Sequence, residues 1–138
     1  MTQTELSPRL SPHDLRPARS PTFTTLTSLA ALAVLLQGLW AGLFIHEGRD
    51  YQQNWVEVHA RGAEVAITLA ALASVVALVK LRSRPDLVTG SIALTVLLML
   101  ESYLGGLVGN TPSVTAIHIP LALALTALAI ALPLRSRR

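Results

Sequence analysis

The chain has 138 residues, of which 51% are hydrophobic and only 14% are charged. A soluble domain carries about 25% charged residues, so this composition excludes a water-facing globular surface and indicates a membrane protein. The net charge of +3 comes from short basic clusters beside apolar runs. Such clusters orient membrane proteins, and we predict no nucleic-acid site. The absence of cysteine excludes disulfides, thiolate metal sites, iron–sulfur clusters and covalently attached c-type haem.

The N-terminal segment, residues 1–21, reads MTQTELSPRLSPHDLRPARSP and has almost no apolar periodicity. Such a segment buries too little surface to offset its ordering entropy, so we predict a disordered tail that membrane insertion does not need. A cleavable signal peptide is the alternative. The long charged region and the lack of a small-residue cleavage site favour a retained first helix instead. The transmembrane domain is therefore predicted over residues 22–138.

Four apolar runs follow, at residues 24–46, 55–79, 87–109 and 115–134. Each is about as long as the roughly 20 residues that a helix needs to cross the bilayer. Their richness in Ala and Leu without polar alternation favours helices over strands. Short connections, the last with a turn signal at Pro112, make consecutive helices antiparallel neighbours. The sequence predicts an all-α, up-down-up-down four-helix bundle whose main partner is the lipid bilayer.

The distribution of basic residues predicts the orientation of the bundle. Nine of the 11 Lys and Arg residues fall on one side of the predicted bundle: Arg9, Arg16, Arg19, Lys80, Arg82, Arg84, Arg135, Arg137 and Arg138. Only Arg49 and Arg61 fall on the other side. Because cytoplasmic loops are enriched in Lys and Arg, we predict a multi-pass plasma-membrane protein with both termini in the cytoplasm.

The two halves of the chain resemble each other. Gln37 in the first helix and Glu101 in the third are each followed five residues later by Gly-Leu. His59 opens the second helix and His118 the fourth, and each has an alanine four residues later. This pattern indicates two repeated hairpins related by an axis along the membrane normal.

His59 and His118 are the central candidate site. In an up-down ring the second and fourth helices are diagonal, about 11–14 Å apart if neighbouring axes are about 8–10 Å apart. Two imidazoles facing inward across that gap could ligate one haem iron. A strip of small residues follows His59 at helical spacing: Gly62, Ala63, Ala66, Ala70 and Ala73. The strip leaves room for a flat cofactor, but it is equally typical of close helix packing. We predict a b-type haem here. The alternative is that each histidine lies at the polar interface or bonds a neighbouring carbonyl. His46 is expected at the outer interface, and His13 is given no role.

Other polar residues also lie in the predicted spans. Gln37 and Glu101 are expected about 12 Å below the outer ends of their helices, near the bilayer middle. There they form interhelical hydrogen bonds or, for Glu101, a proton relay. Arg61 is well placed to pair with Glu57 four residues earlier, and Glu64 lies three residues beyond. The alternative for Arg61 is contact with a haem propionate.

These residues resemble those of the haem A synthase family, which is built from two four-helix halves. His59, His118 and the nearby Glu57 match one half, over most of the chain. The resemblance implies paired histidines facing a haem, and a homodimer that supplies the second half. The family has arginine directly after its histidine, whereas Ala60 intervenes here before Arg61. We therefore carry over the haem site and predict no enzymatic activity.

Three functions follow from this sequence. The first is haem binding for electron transfer or haem handling. The second is a cofactor-free structural or assembly subunit of a larger membrane complex, such as a respiratory one. The third is a small proton-coupled carrier that uses Glu101. The sequence has no phosphate-binding loop, nucleophile elbow or HExxH metalloprotease motif.

Overall fold

The computed structural model describes residues 19–46 and 49–138, with the backbone alone at residues 44–46 and 49–53. It consists of four helices: α1 (Pro21–His46), α2 (Arg49–Lys80), α3 (Pro85–Leu107) and α4 (Thr115–Ser136). One 3-10 turn, Pro112–Val114, precedes α4. These ranges contain no strand, so the predicted all-α four-helix fold is confirmed.

All four helices are long and apolar enough to cross a bilayer, over Pro21–Leu43, Asn54–Lys80, Pro85–Leu107 and Pro112–Ser136. Large aliphatic side chains cover the outside of the bundle; Leu123 is 69% exposed and Val79 is 63% exposed. In water such a surface would drive aggregation, but acyl chains solvate it. The protein is a multi-pass membrane protein.

The helices extend beyond the apolar runs that predict them. The hydroxyl of Ser20 accepts a hydrogen bond from the Phe23 backbone N–H at 3.3 Å, and Pro21 occupies the first helical position. Both features favour a helix start. At the other end of the bundle, α2 begins at Arg49, six residues before the predicted run at 55–79. Its 32 residues measure about 48 Å, more than the roughly 30 Å hydrocarbon core.

The helices form a closed ring in chain order. Each packs against the next, and α4 returns to α1, while the diagonal pairs α1/α3 and α2/α4 make no backbone contact in the described part. The α1–α2 contact is the most extensive. Both helices carry buried alanines, which allow close helix packing in membranes: Ala30, Ala31 and Ala33 on α1, and Ala66, Ala70, Ala73 and Ala77 on α2.

Hydroxyl pairs join the two hairpins to each other. Thr24 Oγ1 of α1 lies 2.8 Å from Ser136 Oγ of α4. Ser74 Oγ of α2 lies 3.1 Å from Thr95 Oγ1 of α3. Such bonds hold helices together where lipid cannot satisfy a polar group. Larger apolar side chains close the core at the end that carries the C-terminus: Phe23, Leu81, Leu87 and Leu132.

Candidate functional site

Gln37, His59, Glu101 and His118 form a single layer across the bundle, which we term the polar layer. Gln37 and Glu101 each lie 16 residues beyond the first residue of their helix, a rise of about 24 Å. His59 and His118 lie 21 and 18 residues before the last residue of theirs, about 32 and 27 Å from the same end. Because consecutive helices are antiparallel, the four side chains meet at the end opposite the C-terminus.

In the first hairpin, His59 faces Gln37. Its Nδ1 lies 3.2 Å from the backbone carbonyl oxygen of Gln37 and 3.1 Å from the Gln37 side-chain nitrogen, so the tautomer of His59 decides whether this atom donates to the first or accepts from the second. The Gln37 amide, in the orientation that satisfies both its polar atoms, donates to the His59 carbonyl oxygen at 2.8 Å. In that orientation it also accepts from the Ala63 backbone N–H at 3.2 Å. Gln37 therefore ties α1 to the turn of α2 that holds His59.

Gly62 makes this close approach possible. A Cβ built on Gly62 would overlap the ring of Trp40 and lie 2.5 Å from the terminal amide group of Gln37. A side chain at position 62 would displace the Trp40 ring or the Gln37 amide, so Gly62 allows both side chains to pack against α2 beside His59.

In the second hairpin, His118 faces Glu101. Their Nδ1 and Oε1 atoms are 2.8 Å apart, and Glu101 is only 8% exposed. Both carboxyl oxygens and Nδ1 are buried, and none of the three has a hydrogen bond of good direction. The distance suits such a bond, but the angle does not. Buried polar atoms are nearly always fully bonded, so this pair is the least satisfied point of the bundle.

A glycine also supports the second histidine. A Cβ built on Gly105 would lie 3.1 Å from His118 Cε1, so the imidazole rests on the backbone of α3. Gly62 and Gly105 thus serve the two hairpins in a similar way. Both were visible in the sequence only as small residues among many.

The four residues of the polar layer were all predicted from the repeat, but their contacts were not. Gln37 and Glu101 were expected near the bilayer middle, apart from the histidines. Glu101 lies six residues before the end of α3, a rise of about 9 Å, and it contacts His118. The sequence did hold a signal for these contacts, because the Gln37–His59 and Glu101–His118 pairs occupy equivalent positions of the repeat.

The Nδ1 atom of each imidazole lies beside an oxygen of the neighbouring helix. A metal-ligating histidine usually directs its second ring nitrogen to a carbonyl or carboxylate, which fixes the tautomer. Nδ1 of His59 faces a carbonyl oxygen, and Nδ1 of His118 faces a carboxyl oxygen. Coordination through both Nε2 atoms would use this geometry.

Arg61 and Glu64 lie on the outside of α2. Arg61 Nη1 is 3.3 Å from Glu64 Oε2, and Arg61 Nε is 4.0 Å from Glu57 Oε1. The ion pair predicted between Arg61 and Glu57 is therefore present, extended by Glu64, and the Arg61 side chain is 69% exposed. The structure does not bring Arg61 into the polar layer, and its contact with a haem propionate stays a prediction.

Some predictions fall outside the described residues. They are the disordered tail, of which residues 1–18 are not described, His13 within it, and the side chain of His46.

No family model matches the chain, and neither a curated protein nor a solved structure is significantly similar to it. The resemblance to haem A synthase therefore rests on the residues quoted above.

Proposed function

We propose that the protein binds one b-type haem between His59 and His118 and serves in electron transfer or haem handling. The observation that carries this proposal is the pairing of each Nδ1 with an oxygen of the neighbouring helix, at 3.2 Å from Gln37 and 2.8 Å from Glu101. In the tautomer in which Nδ1 carries the proton, Nε2 of each ring would be the coordinating atom. Because the histidines sit on diagonal helices, the ligand would lie inside the ring.

The number of ligands favours haem over a bare metal ion. The described residues contain no group of three or more His, Cys, Asp or Glu side chains that could hold an ion. Two imidazoles suffice when the macrocycle supplies four nitrogens of its own, and axial histidine is a standard haem ligand. Bound haem would supply one-electron chemistry. His59 and His118 would hold it, and Gln37 and Glu101 would orient them.

Small residues surround the pair on α2 and α3. Gly105 lets the His118 ring lie against the backbone of α3, and Ala66, Ala70 and Ala73 are buried along α2 beyond His59. A carboxyl oxygen of Glu101 lies 2.8 Å from His118 Nδ1 and would accept from Nδ1–H after a small rotation of either group. A carboxylate in this position raises the basicity of the histidine that it contacts. His118 would therefore be the stronger of the two ligands.

We also propose that both termini lie in the cytoplasm and that the membrane is the plasma membrane. The basic residues at the end that carries the C-terminus support this orientation, because Lys and Arg are retained on the cytoplasmic side. The polar layer, and with it the haem, would then lie near the outer surface.

A structural or assembly subunit of a larger membrane complex, or a homodimer, is the second candidate function. The packing around Gly62 favours it, because the Trp40 ring already covers the glycine. In that case the polar layer would only hold the hairpins together, as interhelical hydrogen bonds do in other membrane bundles.

Spectroscopy of histidine variants tests the proposal. The protein would be produced with ample haem, purified in mild detergent and examined by reduced-minus-oxidised absorbance. We expect a b-type haem spectrum in the wild type. His59→Ala and His118→Ala should each lose the haem or show a five-coordinate spectrum, because one axial ligand is gone. His46→Ala, which alters a histidine outside the polar layer, should behave as the wild type.

Added imidazole and circular dichroism serve as controls. Imidazole should restore a six-coordinate spectrum in each ligand variant, and the helical signal should be unchanged in all of them. A wild type that stays colourless after added haemin would favour the structural function. A spectrum that survives both single changes would retain the haem but discard these ligands.

A further inference from the structure

The end of the bundle that carries the C-terminus is strongly basic. Seven described cations lie there: Arg19, Lys80, Arg82, Arg84, Arg135, Arg137 and Arg138. Asp86 is the only acidic side chain among them. Arg84 binds both carboxyl oxygens of Asp86 at 3.1 Å and donates to the Arg135 carbonyl at 3.2 Å. The hydrogen bond to Asp86 raises the pKa of Arg84. The carboxyl group of Asp86 is therefore already bound to Arg84.

Arg82 is held differently from Arg84. Its Nε donates to the Leu78 backbone carbonyl at 2.7 Å, which keeps the guanidinium beside the end of α2. In the described part of the chain, Arg82 forms no ion pair. Its terminal nitrogens are therefore available to an anion from outside the protein.

A groove of about 410 Å³ opens beside Arg82, at the seam between the end of α2 and the start of α3. Leu78, Pro85 and Val88 give it apolar walls, and Arg82 and Thr89 complete the lining. The Thr89 hydroxyl donates to the Pro85 carbonyl at 2.7 Å, so its own hydrogen is already used. The groove thus combines an apolar surface with one uncompensated cation at the membrane boundary.

We propose that this groove binds an anionic phospholipid, with an acyl chain along Leu78 and Val88 and the phosphate at Arg82. A zwitterionic lipid would fill the apolar groove but leave the net positive charge uncompensated. A soluble anion would compensate that charge but leave the apolar groove without an acyl chain. Guanidinium groups bind phosphate oxygens through two parallel hydrogen bonds. Basic pockets between transmembrane helices are recognised sites for anionic headgroups. This site is at the opposite end from the polar layer and is independent of the haem.

Competition between two lipids tests this site. Native mass spectrometry of the purified full chain would be recorded with equimolar phosphatidylglycerol and phosphatidylcholine of identical acyl chains. We expect phosphatidylglycerol to be preferred. Arg82→Gln should lower the bound ratio about fivefold, since one cation near the membrane surface contributes about 1 kcal/mol to binding an anionic lipid.

Two further variants distinguish a specific lipid site in the groove from a general effect of the positive charge at this end of the bundle. Arg138→Gln removes the same charge at the same end but does not line the groove, and it should leave the ratio nearly unchanged. Thr89→Trp fills the groove from an exposed position, keeps every charge and should lower the ratio. Equal effects of Arg82→Gln and Arg138→Gln, or no preference for phosphatidylglycerol in the wild type, would overturn the proposal.

Discussion

At the scale of single residues, Glu101 is the one acidic side chain buried in the described part of the bundle. Removing a carboxyl group from water is costly unless a partner compensates it. The Nδ1 of His118, 2.8 Å away, is the available partner. On the outside of α2, Arg61 forms ion pairs with Glu57 and Glu64, each about one helical turn away, and all three side chains are exposed. The other buried polar residues of the described part carry only hydroxyl groups: Ser20, Thr27, Ser74, Ser91 and Ser136.

The exchange of Glu101 for alanine tests this contact. Glu101→Ala removes the carboxyl oxygen that lies 2.8 Å from the buried His118 Nδ1, and we expect a loss of about 1–3 kcal/mol in the free energy of unfolding. Glu64→Ala removes the same side chain from an exposed pair and should change stability by less than about 1 kcal/mol. Denaturation in mixed detergent micelles, followed by circular dichroism, measures both. Equal losses would show that the Glu101–His118 contact contributes no special stability.

Residue identities in the polar layer could be predicted because a charged or amide group in an apolar span stands out. The contacts could not, because a linear repeat gives equivalent positions but not the relative rotation of helices. The role of Gly62 could not be predicted from the sequence either. Its importance comes from the Trp40 ring packed over it, which no pattern of small residues reveals.

At the scale of elements, the α1–α2 hairpin depends on close backbone approach at Gly62. Gly62→Ala places a methyl group within the Trp40 ring, and we expect a loss of about 1–3 kcal/mol from overpacking. Gly106→Ala is the matched control, because nothing lies within 4 Å of its Cβ position. That change should be neutral or stabilising by up to about 1 kcal/mol, since alanine favours helix more than glycine does. Thermal unfolding in detergent distinguishes them; a neutral Gly62→Ala would contradict this packing.

The number and type of helices followed from hydropathy, because each span must satisfy its own backbone hydrogen bonds in lipid. Their ends did not follow as closely. The start of α2 at Arg49 lies in polar sequence that continues the helix outside the hydrocarbon. Hydropathy records where lipid begins, whereas hydrogen bonding and capping decide where a helix ends.

At the scale of the whole molecule, the ring closes where α4 meets α1. Thr24 Oγ1 and Ser136 Oγ are 2.8 Å apart there. The chain has no native cysteine, so a Thr24→Cys, Ser136→Cys double variant should form one intramolecular disulfide under mild oxidation. Mobility on non-reducing gels reports it. The control is Thr24→Cys with Thr126→Cys. Thr126 lies ten residues before Ser136 on α4, so this pair should remain reduced. Failure of the first pair would contradict the ring order.

The even number of spans places both ends of the helical domain on one side of the membrane. A reporter fused after Arg138 should be active only if that reporter works in the cytoplasm, because Lys and Arg are retained there. The same fusion made after Asn110, in the connection between α3 and α4, should show the opposite behaviour. Activity of a periplasm-specific reporter after Arg138 would reverse the proposed orientation and move the polar layer to the inner surface.

The most direct measurement of the central claim is a haemin titration of the purified wild-type protein, followed at the Soret band. Because the bundle offers two histidines in one polar layer, we predict saturation at one haemin per chain. The spectrum should be low-spin, as two axial imidazoles require. A signal that rises without saturation, or no Soret shift at all, would contradict a haem site formed by His59 and His118.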